Sequence, residues 1–255
     1  YFDHGMETVP VSAAEPRGLL EAHVFIFRQS AGAYEELKQM YNELIRQDLA
    51  NTRKVRIYQG FLAASLDEAD MEAISVHGHK AIAFARDCGM KDALGSILFM
   101  NGAMLIRQGK WDEAIKLFTE VLENRYYIHS RIVTDSLESL IIIYTLQNEK
   151  AKAEEVMVIL EGYLENLADF HKTFLWSAKL RYCTMNQDRK AVRQLLFENK
   201  PYILDLVMWV NVPEITYVRA LLFEGSKENL ALAEQELTNL EETTAAMHNR
   251  LHHFE

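Results

Sequence analysis

Residues Ser96 to Asn124 read SILFMNGAMLIRQGKWDEAIKLFTEVLEN, and their spacing decides the fold. Leu98, Leu105, Phe118 and Val121 recur at helical intervals on either side of a short break at Gln108-Gly109-Lys110. Gly109 suits the left-handed conformation that ends a helix, and Asp112 and Glu113 suit the positive start of the next one. Gly102 and Ala114 are small at the positions where two antiparallel helices must approach. The stretch therefore predicts a tight helix pair, in which Ala114→Leu would overpack the crossing at a cost of about 1–3 kcal/mol.

Weaker copies surround it. Tyr144, a turn at Gln147-Asn148-Glu149, Ala153, Met157 and Leu160 make one. Tyr182, a turn at Met185-Asn186-Gln187, Ala191, Leu195 and Leu196 make the next, and Leu221, a turn at Glu224-Gly225-Ser226, Ala231 or Ala233 and Leu237 a third. Upstream, a pair is expected over Arg53–Ser65 and Ala69–Ala85, preceded by Gly18–Gln29 and Tyr34–Gln47. The turns at Gly109, Asn148, Asn186 and Gly225 stand about 38–39 residues apart, longer than the roughly 34 residues of the commonest helix-pair repeat. The spacings of the 96–124 unit resemble the tetratricopeptide pattern. That resemblance implies an all-α, right-handed superhelix of about six antiparallel helix pairs. Each pair would stack only on its neighbours, giving one solenoid domain over residues 16–255 behind a lead-in at 1–15. The ends of the sequence suggest a fragment of a longer chain, with further helices expected from Asn249 onward or a dimer contact there.

Composition agrees with a helical, folded chain: only 4 Pro and 11 Gly interrupt 255 residues that are 49% hydrophobic. A net charge of -10, with Lys and Arg scattered among acidic residues, argues against direct contact with nucleic acid. Cys88 and Cys183 lie far apart in helical contexts, so reduced thiols and a cytoplasmic location are expected. No apolar run reaches the roughly 18–20 residues of a membrane span, and Tyr1-Phe2-Asp3-His4-Gly5 does not begin a signal peptide.

Residues that carry chemistry are scarce. There is no glycine-rich phosphate loop, no Gly-x-Ser-x-Gly elbow and no His-Glu-x-x-His. His248, His252 and His253 lack a further ligand at zinc spacing, and the acidic runs at 67–72 and 234–242 read as solvated helix faces. No catalytic residue, metal site or cofactor is expected. The informative side chains are those on the first helix of each pair, which would line the inner side of a superhelix. Phe99, Arg107, Glu138, Trp176, Arg219 and Phe223 are the candidate binding residues, a mixture of aromatics, cations and a carboxylate that suits a groove. The competing reading is that Phe99, Trp176 and Phe223 only pack between repeats. If the binding reading holds, Trp176→Ala and Arg107→Ala should leave stability within about 1 kcal/mol, as surface changes do.

Trp209-Val210-Asn211-Val212-Pro213-Glu214-Ile215, continuing through Arg219-Ala220-Leu221-Leu222 and the Glu-rich helix to His248-Asn249, resembles the helical-repeat region of large LuxR-type bacterial regulators similar to the maltose-regulon activator. The resemblance runs from about Leu19 to Glu255. It implies a non-enzymatic, signal-receiving segment that binds a small-molecule or peptide inducer, or a partner protein. In the parent chain it would stand between an ATPase module and a DNA-binding helix-turn-helix. A protein–protein scaffold or a peptide receptor without a transcriptional role are the alternatives.

Overall fold

Turns that end in a left-handed residue set the architecture. In the computed structural model, which describes residues 24–26, 28–165, 167, 172–198 and 209–253, seven turns share the same two hydrogen bonds. At the first of them Ala33 N donates to Arg28 O and Gly32 N to Gln29 O; equivalent pairs recur around Ala69, Gly89, Gly109, Asn148, Gln187 and His248. In each, the pivotal residue has positive φ, from 49° at His248 to 77° at Gly32. This closure satisfies the last carbonyls of a helix and reverses the chain in few residues. Gly225 does the same with a single bond from its N–H to Leu221 O.

The described elements are all helical, with no strand among them. After α1 (Tyr34–Leu44) come adjacent pairs: α2 (Asn51–Asp67) with α3 (Met71–Asp87), α4 (Lys91–Arg107) with α5 (Trp111–Glu123), and α6 (Ser130–Leu146) with α7 (Lys150–Leu164). Next are α8 (Lys172–Met185) with α9 (Arg189–Glu198), α10 (Pro213–Glu224) with α11 (Lys227–Ala246), and the short α12 (Arg250–His253). Each first helix also packs on the first helix of the next pair, α2 on α4, α4 on α6, α6 on α8 and α8 on α10. After Asn249 the described chain continues as the short α12, and the expected pairs from residue 53 onward are present. At the turn expected around Asn186 the left-handed residue is Gln187, one position on. The lead-in at 1–15 and most of the helix expected at 18–29 lie outside the described residues.

Two kinds of helix result. The outer α5 buries one stripe, Ala114, Phe118 and Val121, as an amphipathic surface helix does. The inner α4 and α6 are buried on all sides over 93–105 and 131–143. At the α4–α5 crossing, Gly102 lies so close to Phe118 that a Cβ there would stand 2.7 Å from the ring's Cζ. The inner side is therefore filled, not an open trough. Part of the filling is the segment 209–213, whose Trp209 ring lies 5.7 Å from Phe99. The two ends of the described chain also meet. Gln29 Nε2 donates to His248 O at 2.7 Å, Arg250 pairs with Glu68 at 2.9 Å, and α12 rests on α2. Among the described residues no helix is long and apolar enough to cross a membrane.

Candidate functional site

The most unusual chemistry in the molecule is a set of buried charges on α6. Arg131, Asp135 and Glu138 are spaced i, i+4 and i+7, which puts them on one helix face. All three are buried, Asp135 at 0% and Glu138 at 1% exposure. Charges so placed are tolerated only where partners replace water.

The partner is the segment leading into α10. Pro213 is the first residue of that helix, and Val212 before it is extended at φ -102° and ψ 118°, as a residue preceding proline should be. An extended stretch has no helical acceptors for its own N–H groups, and Asp135 supplies them. Its Oδ2 accepts from Val210 N at 2.8 Å and its Oδ1 from Asn211 N at 3.0 Å. Arg131 completes the clasp by donating from Nη2 to Asn211 O at 3.0 Å. Its guanidinium is held between aromatic faces, 3.8 Å from the Phe174 ring centre and 4.7 Å from that of Trp209.

Asn211 spreads the network to two more helices. Its Nδ2 donates to Ser177 Oγ on α8 at 3.0 Å, and its Oδ1 accepts from Thr216 Oγ1 on α10 at 2.7 Å. Arg181 on α8 donates to Val210 O at 3.1 Å and approaches Asn211 Oδ1 at 3.5 Å. The inner helices of three successive pairs, α6, α8 and α10, are thus tied through one irregular segment.

Glu138 is the loose end of this network. Its Oε2 faces Arg131 Nη1 at 3.4 Å, while its Oε1 is buried and makes no well-formed hydrogen bond, with the Asp135 and Asn211 side chains as the carboxyl's polar neighbours. Burial pushes its carboxyl well above the ordinary carboxylate range; Arg131 opposes that shift and the nearby Asp135 adds to it. Asp135 already engages two backbone N–H groups and lies 4.0 Å from Arg131, so the cation is largely spoken for and the upward direction prevails. Glu138 opens onto a cleft lined by Ile141 and Ile142 of α6, Ala178, Arg181, Tyr182 and Met185 of α8, and Asn211. The cleft encloses ≈ 10 Å³, about the room of one water molecule.

Of the six residues expected to bind, only Glu138 lines this cleft. Phe99 is a core side chain at 0% exposure, wedged between Phe118 and Trp209. Trp176 is 5% exposed, packs on Tyr217 and donates its indole N–H to Leu195 O at 2.9 Å. Both side chains follow the competing reading, packing between helices, and they share a cause: the inner faces of these helices meet protein. Phe223 is half-buried against the same cluster as Trp176 and beneath the Arg189 guanidinium. Arg107, half-buried at the end of α4, donates to its own helix at Ala103 O, and Arg219 is half-buried on α10. Arg131, Arg181 and Asn211 escaped the sequence reading. The i, i+4 pairing of Arg131 with Asp135 on the first helix of a pair was the available signal.

Among the described residues no three His, Cys, Asp or Glu side chains gather to hold a metal ion. Compared with protein-family models, with curated proteins and with solved structures, the chain matches none of them.

Proposed function

We propose that this chain is a signal-receiving domain that binds a small molecule at the Glu138 cleft, in the manner of the helical-repeat arm of a LuxR-type transcriptional regulator. The observation that carries the reading is Oε1 of Glu138, buried at the cleft without a well-formed hydrogen bond: leaving a buried carboxyl oxygen poorly satisfied costs about 1–3 kcal/mol, a cost that a ligand would relieve. The cleft lies where α6, α8 and the 209–213 segment meet, so occupancy bears on how three successive pairs sit against one another. A ligand shifts such an arrangement only by binding one form better than another. In this reading the pairs coil into a right-handed superhelix, the protein is cytoplasmic and not an enzyme, and neighbouring ATPase and DNA-binding modules of a parent protein take up the signal.

Thermal-shift titration against a set of small metabolites tests the binding step. At least one should raise the melting temperature of the wild type, and Ala178→Leu, which places a side chain in the cleft, should remove the effect. If no small molecule protects the wild type, the chain serves as a scaffold for partner proteins. The isolated chain should also give no specific gel shift with DNA at physiological salt.

A further inference from the structure

A solenoid stacks each pair only on its neighbours, yet here residues 28–32 meet residues 248–250 across the whole run of pairs. Two left-handed turns face each other at this seam. The His248 ring covers Gly32 so closely that a Cβ there would stand 3.0 Å from its Cε1 and Nε2. Gln29, buried at 2% exposure, uses its amide on both sides of the seam: Nε2 donates to His248 O at 2.7 Å and reaches Glu68 Oε2 at 3.4 Å. Glu68 stands at the C-terminal cap of α2, where the helix dipole disfavours a carboxylate. The last turn of α2 holds no basic residue, and the cation that pairs with Glu68 among the described residues is Arg250, from the other end of the run. The apolar share of the seam is small, since α12 is a single turn and Leu251 is the aliphatic side chain that it buries.

We infer that this seam is a releasable clasp: the Glu68–Arg250 pair and the Gln29 amide hold the run of helix pairs closed on itself, and parting them opens it without dismantling any pair. Opening leaves α2 on α3 and α10 on α11, because those contacts are not made across the seam. The Arg250 side chain is already 66% exposed, so its charge returns readily to water and salt weakens the pairing, as it does for surface ion pairs. The clasp also lies in line with the Glu138 cleft. Segment 209–213 runs into α10, α10 packs on α11, and α11 ends in the His248 turn. Closed and open forms are thus the two arrangements between which a ligand in the cleft would discriminate. That link alone rests on the proposed binding function; the clasp itself does not.

Hydrogen exchange read by mass spectrometry, together with small-angle scattering, tests the clasp on the intact chain without any ligand. Arg250→Glu sets two carboxylates against each other. It should speed exchange about tenfold or more over residues 29–33 and 247–252 and raise the radius of gyration, while α4 and α5 stay as protected as in the wild type. Glu68→Arg should act in the same way, and the two changes combined should restore wild-type protection. Should Arg250→Glu fail to fold, the wild type in about 1 M salt decides, where the same two stretches should exchange about threefold faster than at low salt. Unchanged exchange at both stretches, in Arg250→Glu or, if that variant does not fold, in high salt, overturns the clasp. Faster exchange spread evenly through all helices overturns it too, because the seam would then belong to one cooperative core. Single variants that open while the combined variant does not close again assign the closure to the His248 ring on Gly32 and overturn the role of the ion pair. None of these results decides whether a small molecule protects the protein, which the thermal-shift titration settles separately.

Discussion

Two junctions in this molecule join helix to helix by opposite means. At the α4–α5 crossing, Gly102 lets the Phe118 ring approach, with Ala114 and Val121 fully buried alongside, and no charged side chain is among these contacts. At the α6–α8–α10 junction, the contact runs through Asp135, Arg131, Asn211 and Arg181, and the backbone between helices is extended. The first kind of junction depends on shape and tolerates nothing larger. The second depends on every polar group finding a partner, and Glu138 Oε1 is left without a well-formed hydrogen bond. A repeat protein can stack on apolar crossings alone. The polar junction is where the chain departs from its own repeat, and that is why the binding reading is placed there.

The largest expected effect breaks the polar junction. Asp135→Ala removes the acceptor of two backbone N–H groups and leaves Arg131 buried beside fewer counter-charges, which should cost about 3–5 kcal/mol. Denaturant unfolding would measure it. Trp176→Ala belongs to the apolar side of the comparison and should cost a similar amount, about 3–5 kcal/mol, because the ring is a core residue. A loss within about 1 kcal/mol would restore the surface role that the sequence suggested.

Gly102→Val probes the apolar crossing. A Cβ already stands 2.7 Å from the Phe118 ring, so the pair must separate, at about 1–3 kcal/mol by thermal or chemical unfolding. Ala69→Gly should act in the other direction. Ala69 holds φ 60° at a turn where Gly32, Gly89 and Gly109 stand in the equivalent place, and glycine there should raise stability by about 1 kcal/mol. No gain would mean that its strain is relieved elsewhere.

These contrasts also explain what could be read from the chain alone. The α4–α5 pair was legible down to single residues, since Gly102, Ala114, Phe118 and the Gly109 turn follow from helical spacing and backbone preference. The turn at Asn148 was legible for the same reason, and the one at Asn186 missed by one residue because either Asn186 or Gln187 can take the left-handed position. The inner faces were not legible. Helical periodicity says which side of α4 or α8 meets its own partner, but not that a distant segment at 209–213 fills the other side. Hence Phe99 and Trp176 looked like groove residues and lie in the core. Glu138 was found because it falls on the inner side of the first helix of its pair; Arg181 and Asn211 were not, because their roles exist only once α8 and the 209–213 segment meet α6.

The central claim is that Glu138 is a buried acid held by the fold and turned to the cleft. Because the folded chain keeps its proton more tightly than the unfolded chain does, its contribution to stability is complete below the ordinary carboxyl value of about 4.3. That contribution is lost as pH rises through the higher folded value. Carbon-13 NMR of the Glu138 carboxyl, assigned by its disappearance in Glu138→Gln, measures that value directly. A titration midpoint well above the ordinary carboxylate range is the predicted result, whereas a midpoint near 4.3 would mean a solvated, ionised Glu138 and would contradict the account.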